Sequence, residues 1–127
     1  MNIRMVDGLP FIQVTLIFGS QKLLLNNVVL DTGSSSCVFQ TDLVAQIGIV
    51  PEPDDVIRQV QGIGGIEFVF TKKVDQIKIE TLQAQNFMIE VGAMNYGNFQ
   101  FDGILGFDFL QQTDAIIDLA NMELYGR

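Results

Sequence analysis

What most limits the folds open to this chain is a succession of short apolar runs, rich in β-branched and aromatic residues, each closed by a turn signal. Residues 11–18 (FIQVTLIF) end at Gly19-Ser20, and residues 21–30 follow as a second strand, so the two are expected to form a hairpin. Residues 31–36 break the pattern with small polar side chains, and Cys37-Val38-Phe39 reads as a short buried strand. Thr41 is placed to cap a short helix over residues 42–46, stopped by Gly48. Residues 51–55 form a polar connector. Residues 58–61 and 66–70 then flank Gly62-Ile63-Gly64-Gly65, which reads as a hairpin tip. Two further strands are expected at 74–79 and 84–91, a loop at 92–98, a short helix at 107–112 and a terminal hairpin at 115–118 and 122–125. Short strands at this spacing predict a mostly-β barrel or sandwich with one or two short helices.

With 127 residues, the chain reads as a single domain over residues 1–127, with no internal repeat, low-complexity tract or linker. Apolar residues make up 48% and charged ones 17%, which argues against disorder. There is no His, and Cys37 is the single Cys. That excludes a His-based triad, a Cys/His dyad, a Cys/His zinc site and an intrachain disulfide. Carboxylates are left as the acid–base groups, and no metal or other cofactor is expected. The acidic residues are scattered, without EF-hand spacing. Seven Lys and Arg stand against fifteen Asp and Glu, a net charge of −8, so the clustered positive charge that nucleic acid requires is missing. The longest apolar run near the start is interrupted by Gln13, Thr15 and Gly19, well short of the about 20 apolar residues a spanning helix needs. No signal peptide is read at the N-terminus, and the expected location is cytoplasmic, with the possibility of a larger or anchored parent protein left open.

Three segments carry chemistry. Asp31 directly follows an apolar strand and precedes Thr32-Gly33-Ser34, where Gly33 permits a tight turn and the hydroxyls can donate to a carboxylate. The plainer reading of the same residues is a strand followed by an Asx turn. Gly62-Ile63-Gly64-Gly65 fits a bending hairpin tip that covers a site, or an ordinary turn. A phosphate cradle is disfavoured because the next residues, 66–70, are strand-like where a helix N-terminus is required. Asp102-Gly103-Ile104-Leu105-Gly106 is either a second acidic site or a structural crossing, and the structural reading is preferred because Gly allows close backbone approach.

In this order, the segments resemble the pepsin-like and retropepsin-like aspartic proteases. Val29-Leu30-Asp31-Thr32-Gly33-Ser34 is similar to the family's hydrophobic–hydrophobic–Asp-Thr-Gly-Ser motif, residues 62–65 to the Gly-Ile-Gly-Gly flap tip of retroviral proteases, and Ile104-Leu105-Gly106 to the sequence before the family's short helix. The resemblance covers residues 11–125. It implies a retropepsin-like closed β-barrel, the acid protease fold. One Asp-Thr-Gly in a chain the length of one lobe further implies a homodimeric aspartic endopeptidase, in which Asp31 of each chain forms a dyad that activates water against an extended peptide or protein substrate. By the same pattern, Thr32 would lock the two catalytic loops across the dimer and Gly33 would approach the substrate backbone. Ser34 would orient the outer oxygen of Asp31, and Gly62, Ile63, Gly64 and Gly65 would close over substrate. The chain departs from retroviral proteases at Ser34-Ser35, where they carry Ala-Asp, and at Phe107, where they carry Arg. The ion pair those residues make cannot form here, which leaves terminal strands or Thr32 to hold a dimer. The only tyrosines, Tyr96 and Tyr125, give no equivalent of the pepsin flap Tyr. The competing expectation is the same fold used as a non-catalytic dimerisation or peptide-binding module.

Overall fold

The computed structural model describes residues 1–62, 65–94 and 101–127, with the backbone alone for 60–62 and 65–67. Ten strands, β1 (Arg4–Val6), β2 (Leu9–Phe18), β3 (Gln21–Leu30), β4 (Val38–Gln40), β5 (Ile57–Gly62), β6 (Gly65–Ile79), β7 (Leu82–Gly92), β8 (Gly103–Leu105), β9 (Ala115–Asp118) and β10 (Glu123–Gly126), are joined by helices α1 (Thr41–Val44) and α2 (Phe107–Gln112), with a 3-10 turn at Ala45–Ile47. Eight strands pair in the order β1-β2-β3-β8-β4-β7-β6-β5, and β2 also pairs with β6. These pairings close a ring, β2-β3-β8-β4-β7-β6, so the expected barrel forms. β9 and β10 make the expected terminal hairpin, and the chain start adds to it through the backbone bonds Ile3 N to Met122 O and Leu124 N to Met1 O, both 2.8 Å.

Period-2 patterning drives the closure. Along β2, Ile12, Val14 and Leu16 are fully buried while Gln13 between them is exposed. β7 alternates in two stretches, Leu82 and Ala84, then Phe87 and Ile89, broken at Asn86, whose φ of 51° is left-handed, and Phe87 meets Phe109 of α2 edge to face at 5.9 Å. Helix α2 thereby plugs the barrel with Phe109 and Leu110.

Several local expectations are corrected. Residues 66–70 and 74–79, read as separate strands, are parts of one fifteen-residue strand, β6. Thr71-Lys72-Lys73, the polar stretch between them, contains no Gly or Pro, and all three residues pair with β7 opposite Glu90, Ile89 and Met88. β1, a short exposed strand, carries no apolar pattern and was not foreseen. Thr41 does not cap the first helix: Gln40 is the N-cap, without a side-chain cap bond, because β4 runs straight into the helix and Thr41 is its first residue. The helix read over 42–46 is a single α-turn at 41–44 followed by the 3-10 turn, and it stops at Gly48, whose φ of 89° is left-handed as a glycine stop requires. The loop expected over 92–98 lies mostly outside the described residues, as do Ile63, Gly64 and Tyr96.

The polar connector is latched to the barrel by one charge cluster. Lys72, on β6, lies 2.7 Å from Asp55 Oδ2 and 3.0 Å from Glu52 Oε1. The hydrogen bond from Lys72, then that from the Glu52 N–H, hold the Asp55 carboxyl below its ordinary range. Burial pushes the Lys72 ammonium down, but the two carboxylates outweigh it and its titration moves up. A carboxyl depressed on folding stabilises the native state above its unfolded value, about pH 4, and loses that contribution as pH falls. Asp55→Asn should therefore melt below wild type at pH 6, with the gap narrowing as pH drops through the carboxylate range. Thermal unfolding of both proteins at pH 6 and at the acid end checks this, and a gap independent of pH would count against the latch.

Candidate active site

Asp31 is held at the mouth of the barrel by backbone alone. Its N–H donates to Leu105 O at 3.0 Å, extending the parallel pairing of β3 and β8 by one residue. The chain then turns: Ser34 N donates to Asp31 O at 3.2 Å, and Gly33 N donates to Asp31 Oδ1 at 2.9 Å. Oδ1 is thus engaged inside the loop, while among the described residues nothing hydrogen-bonds Oδ2. Asp31 and Ser34 are half-buried, Thr32 and Gly33 exposed. The turn presents a carboxylate outward with one oxygen anchored, which is the geometry an acid–base group needs.

The loop is pinned from below. Ser34 O accepts from Phe107 N at 2.7 Å, at the start of α2. Gly106 lies so close to the loop that a Cβ there would sit 2.3 Å from Ser36 O. Cys37 Sγ accepts from Gly106 N and donates to Asp108 Oδ1, both at 3.3 Å. Burial first, and the Asp108 charge second, push the Cys37 thiol well up, against smaller opposing pulls from the Gly106 and Phe109 N–H groups. It therefore stays protonated and able to donate. Ser34 differs from its expected role: its hydroxyl donates to Ser36 O at 2.7 Å, so its single proton ties the loop to itself and does not hold Asp31.

Asp102 fulfils the structural reading. Its Oδ2 accepts from Asn27 N at 3.0 Å, its N–H donates to Asn27 O at 2.7 Å, and its carbonyl accepts from Gln40 N at 3.0 Å. Asn27 is free to do this because the β2–β3 register shifts between Ile12 and Val14. Next to it, Gly103 packs where a Cβ would be 2.5 Å from the Phe39 ring. The carboxylate and N–H of Asp102 tie the start of β8 to β3 and its backbone carbonyl ties it to β4, which in turn places Leu105 under Asp31.

An apolar wall flanks the carboxylate. Phe11, Val29, Ile104 and Val38 stand side by side across β2, β3, β8 and β4. With Leu9, Met94 and Phe101 they form a cluster separate from the main core. Val29 precedes Asp31 by two residues and so shares its face. Sequence reasoning missed this wall, and it missed the supports Cys37, Gly106 and Asp108. The uninterrupted apolar run Val28-Val29-Leu30 at the end of β3, buried on both faces, was the one available signal, since Cys37 and Asp108 meet only across 71 residues of chain. Beyond the barrel, β5 and β6 pair from Ile57↔Phe70 to Gly62↔Gly65, whereas the last rung of β6 with β7 is Val69↔Gly92. The two strands therefore extend as an arm that ends at Gly62 and Gly65. Beside Thr32, Phe107, Leu110, Ala115 and Ile117 line a shallow apolar groove.

Among the described residues no helix is long and apolar enough to cross a membrane. A family model for an aspartyl protease matches residues 14–109. Among solved structures, the chain is similar to a retropepsin-like aspartic protease from Rickettsia conorii, with 17% identity, 98% of this chain and 95% of that chain covered, and a TM-score of 0.67. That likeness establishes the retropepsin-like fold. No protein of curated function matches the chain.

Proposed function

The chain belongs to the aspartyl protease family, and on that premise we propose that it is an aspartic endopeptidase in which two copies share one active site. The observation that carries this reading is Asp31 itself, with Oδ1 held by the Gly33 N–H, on a loop pinned through Ser34 and Gly106, beside an apolar wall. Each chain supplies one such carboxylate. A two-fold axis beside Thr32 brings Asp31 together with Asp31 of the partner subunit, in an isologous interface. The apolar groove of Phe107, Leu110, Ala115 and Ile117 borders Thr32 and supplies surface for that contact.

Two carboxylates so placed cannot both ionise freely, so the pair retains one proton. The ionised member takes a proton from a bound water, whose oxygen attacks the scissile carbonyl carbon. The protonated member gives its proton to the carbonyl oxygen. The tetrahedral diol then collapses: the protonated carboxyl gives its proton to the amide nitrogen, a diol hydroxyl returns its proton to the ionised carboxylate, the C–N bond breaks, and a carboxylic acid and an amine leave with one proton still on the pair. Nothing covalent forms between enzyme and substrate. Gly33 lies beside the substrate backbone, an extended peptide lies along the wall, and the arm ending at Gly62 and Gly65, with Ile63 and Gly64, closes over it and excludes water. Ser34 contributes by stiffening the loop through Ser36.

A shared site makes activity second order in chain. Serial dilution through the dimer dissociation constant, followed by sedimentation and by cleavage of a peptide library, should show dimer and cleavage disappearing together. Below that constant, rate should fall with the square of concentration. Cleavage that persists in a proven monomer would overturn the shared site. A stable dimer that cleaves nothing from acid to neutral pH would favour the non-catalytic module.

A further inference from the structure

Two charged side chains are buried among the described residues, Lys72 and Glu90. Lys72 faces the connector. Glu90 faces the other way, and strand register shows where. It pairs with Val38 on β4 and Thr71 on β6, and Val38 pairs with Ile104, which pairs with Val29. Directly paired residues share a face, so Glu90 ends the row of apolar side chains that forms the wall beside Asp31. Its N–H also donates to Cys37 O at 2.9 Å, at the foot of the Asp31 loop.

The Glu90 carboxylate is 7% exposed and ion-pairs with Arg58, whose side chain is 52% exposed. Arg58 stands at the base of the arm, on the last rung where β6 still pairs with β7. It stands opposite Val69, which stands opposite Gly92, so Arg58, Val69, Gly92 and Glu90 lie on one face. A Cβ at Gly92 would come within 2.7 Å of Val69 Cγ1, so β6 and β7 approach closely there. The guanidinium reaches Glu90 across β6, from a strand that pairs with β6 and not with β7.

A buried carboxylate without a partner is costly, whereas the exposed Arg58 loses little by pairing. The free-energy gain is therefore available only while the arm is seated so that Arg58 can reach the wall. We propose that Arg58 and Glu90 are a positioning pair that seats the β5–β6 arm against the apolar wall beside Asp31. The role in catalysis rests on the endopeptidase reading, whereas the seating of the arm does not.

Hydrogen exchange of the full chain, read by mass spectrometry, tests the seating directly. Arg58→Met leaves Glu90 buried and unpaired, so amides of β5 and the 65–70 part of β6 should exchange about tenfold faster while β2 and β3 stay within about twofold of wild type. Replacing both partners, Arg58→Met with Glu90→Leu, removes the unpaired charge and should bring the arm back to within about threefold of wild type. Arg58→Lys should fall between. On a cleaved peptide, Arg58→Met should raise KM about tenfold with kcat within about threefold, the mark of lost binding and intact chemistry. An arm that exchanges as in wild type, or exchange that rises equally across the whole chain, overturns the proposal. Wild type that shows no cleavage sensitive to Asp31→Asn would overturn the endopeptidase reading alone, and the exchange result would still decide the ion pair.

Discussion

Asp31→Asn is expected to slow peptide cleavage by at least about a thousandfold, with fold and dimer kept. Asn has nearly the shape of Asp, and its amide oxygen can still accept the Gly33 N–H that now reaches Oδ1. The loop geometry should survive, because Leu105 O, Phe107 N and Ser36 O engage the loop without using the Asp31 carboxylate. What is lost is charge: an amide cannot take the proton of the attacking water, and with both copies altered no proton is left to share. A library digest of wild type beside the variant, with thermal unfolding and sedimentation on both, separates chemistry from folding. A variant that cleaves within tenfold of wild type would remove Asp31 from the mechanism. Loss of cleavage together with loss of the dimer would place its role in assembly.

Gly106→Ala should be nearly as damaging, and by a different route. The added methyl would sit 2.3 Å from Ser36 O, 2.5 Å from Ser36 C and 3.0 Å from Ser34 O. All three are backbone atoms of the loop, so no side chain can swing aside. Either the loop lifts or the start of α2 retreats, and both motions stretch the 2.7 Å bond from Phe107 N to Ser34 O. Overpacking of this kind costs about 1–3 kcal/mol, which in a chain of this size lowers Tm by roughly 5–15 °C. A shift of about 1 Å in a catalytic group also costs roughly a hundredfold in rate, so activity should fall even at temperatures where the variant is fully folded. Calorimetry beside kcat/KM at low temperature tests both parts. Normal activity with an unchanged Tm would mean that the loop is not braced by Gly106.

Local chemistry made several elements readable in advance. The β2–β3 hairpin is visible in FIQVTLIF and the Gly19-Ser20 turn, the terminal hairpin in residues 115–125, and α2 in the residues after Gly106. The Asp-Thr-Gly-Ser string marks the outward-facing carboxylate because a strand end, a tight turn and small polar residues are all local features. Where the reading failed, distant partners had overridden local preference. Thr71-Lys72-Lys73 continues a strand because β7 supplies its backbone partners and Asp55 and Glu52 neutralise the buried ammonium. Thr41 loses the cap position because β4, paired on both sides, carries extended backbone up to Gln40. The Ser34 hydroxyl turns to Ser36 within its own loop, a choice between two nearby acceptors that composition does not encode.

The sequence by itself determined the class of fold and which residue types could serve as an acid–base group, since alternation at period 2 selects strands and the lack of His leaves carboxylates as the candidates. Only the tertiary structure decided what braces that group and what surrounds it. Cys37 meets Asp108 and Ser36 meets Gly106 because β8 and α2 return to the loop that follows β3, and Arg58 meets Glu90 because β5 and β7 pair with the two edges of β6. Such contacts depend on register and close approach between segments far apart in the chain, and local patterning carries no record of either.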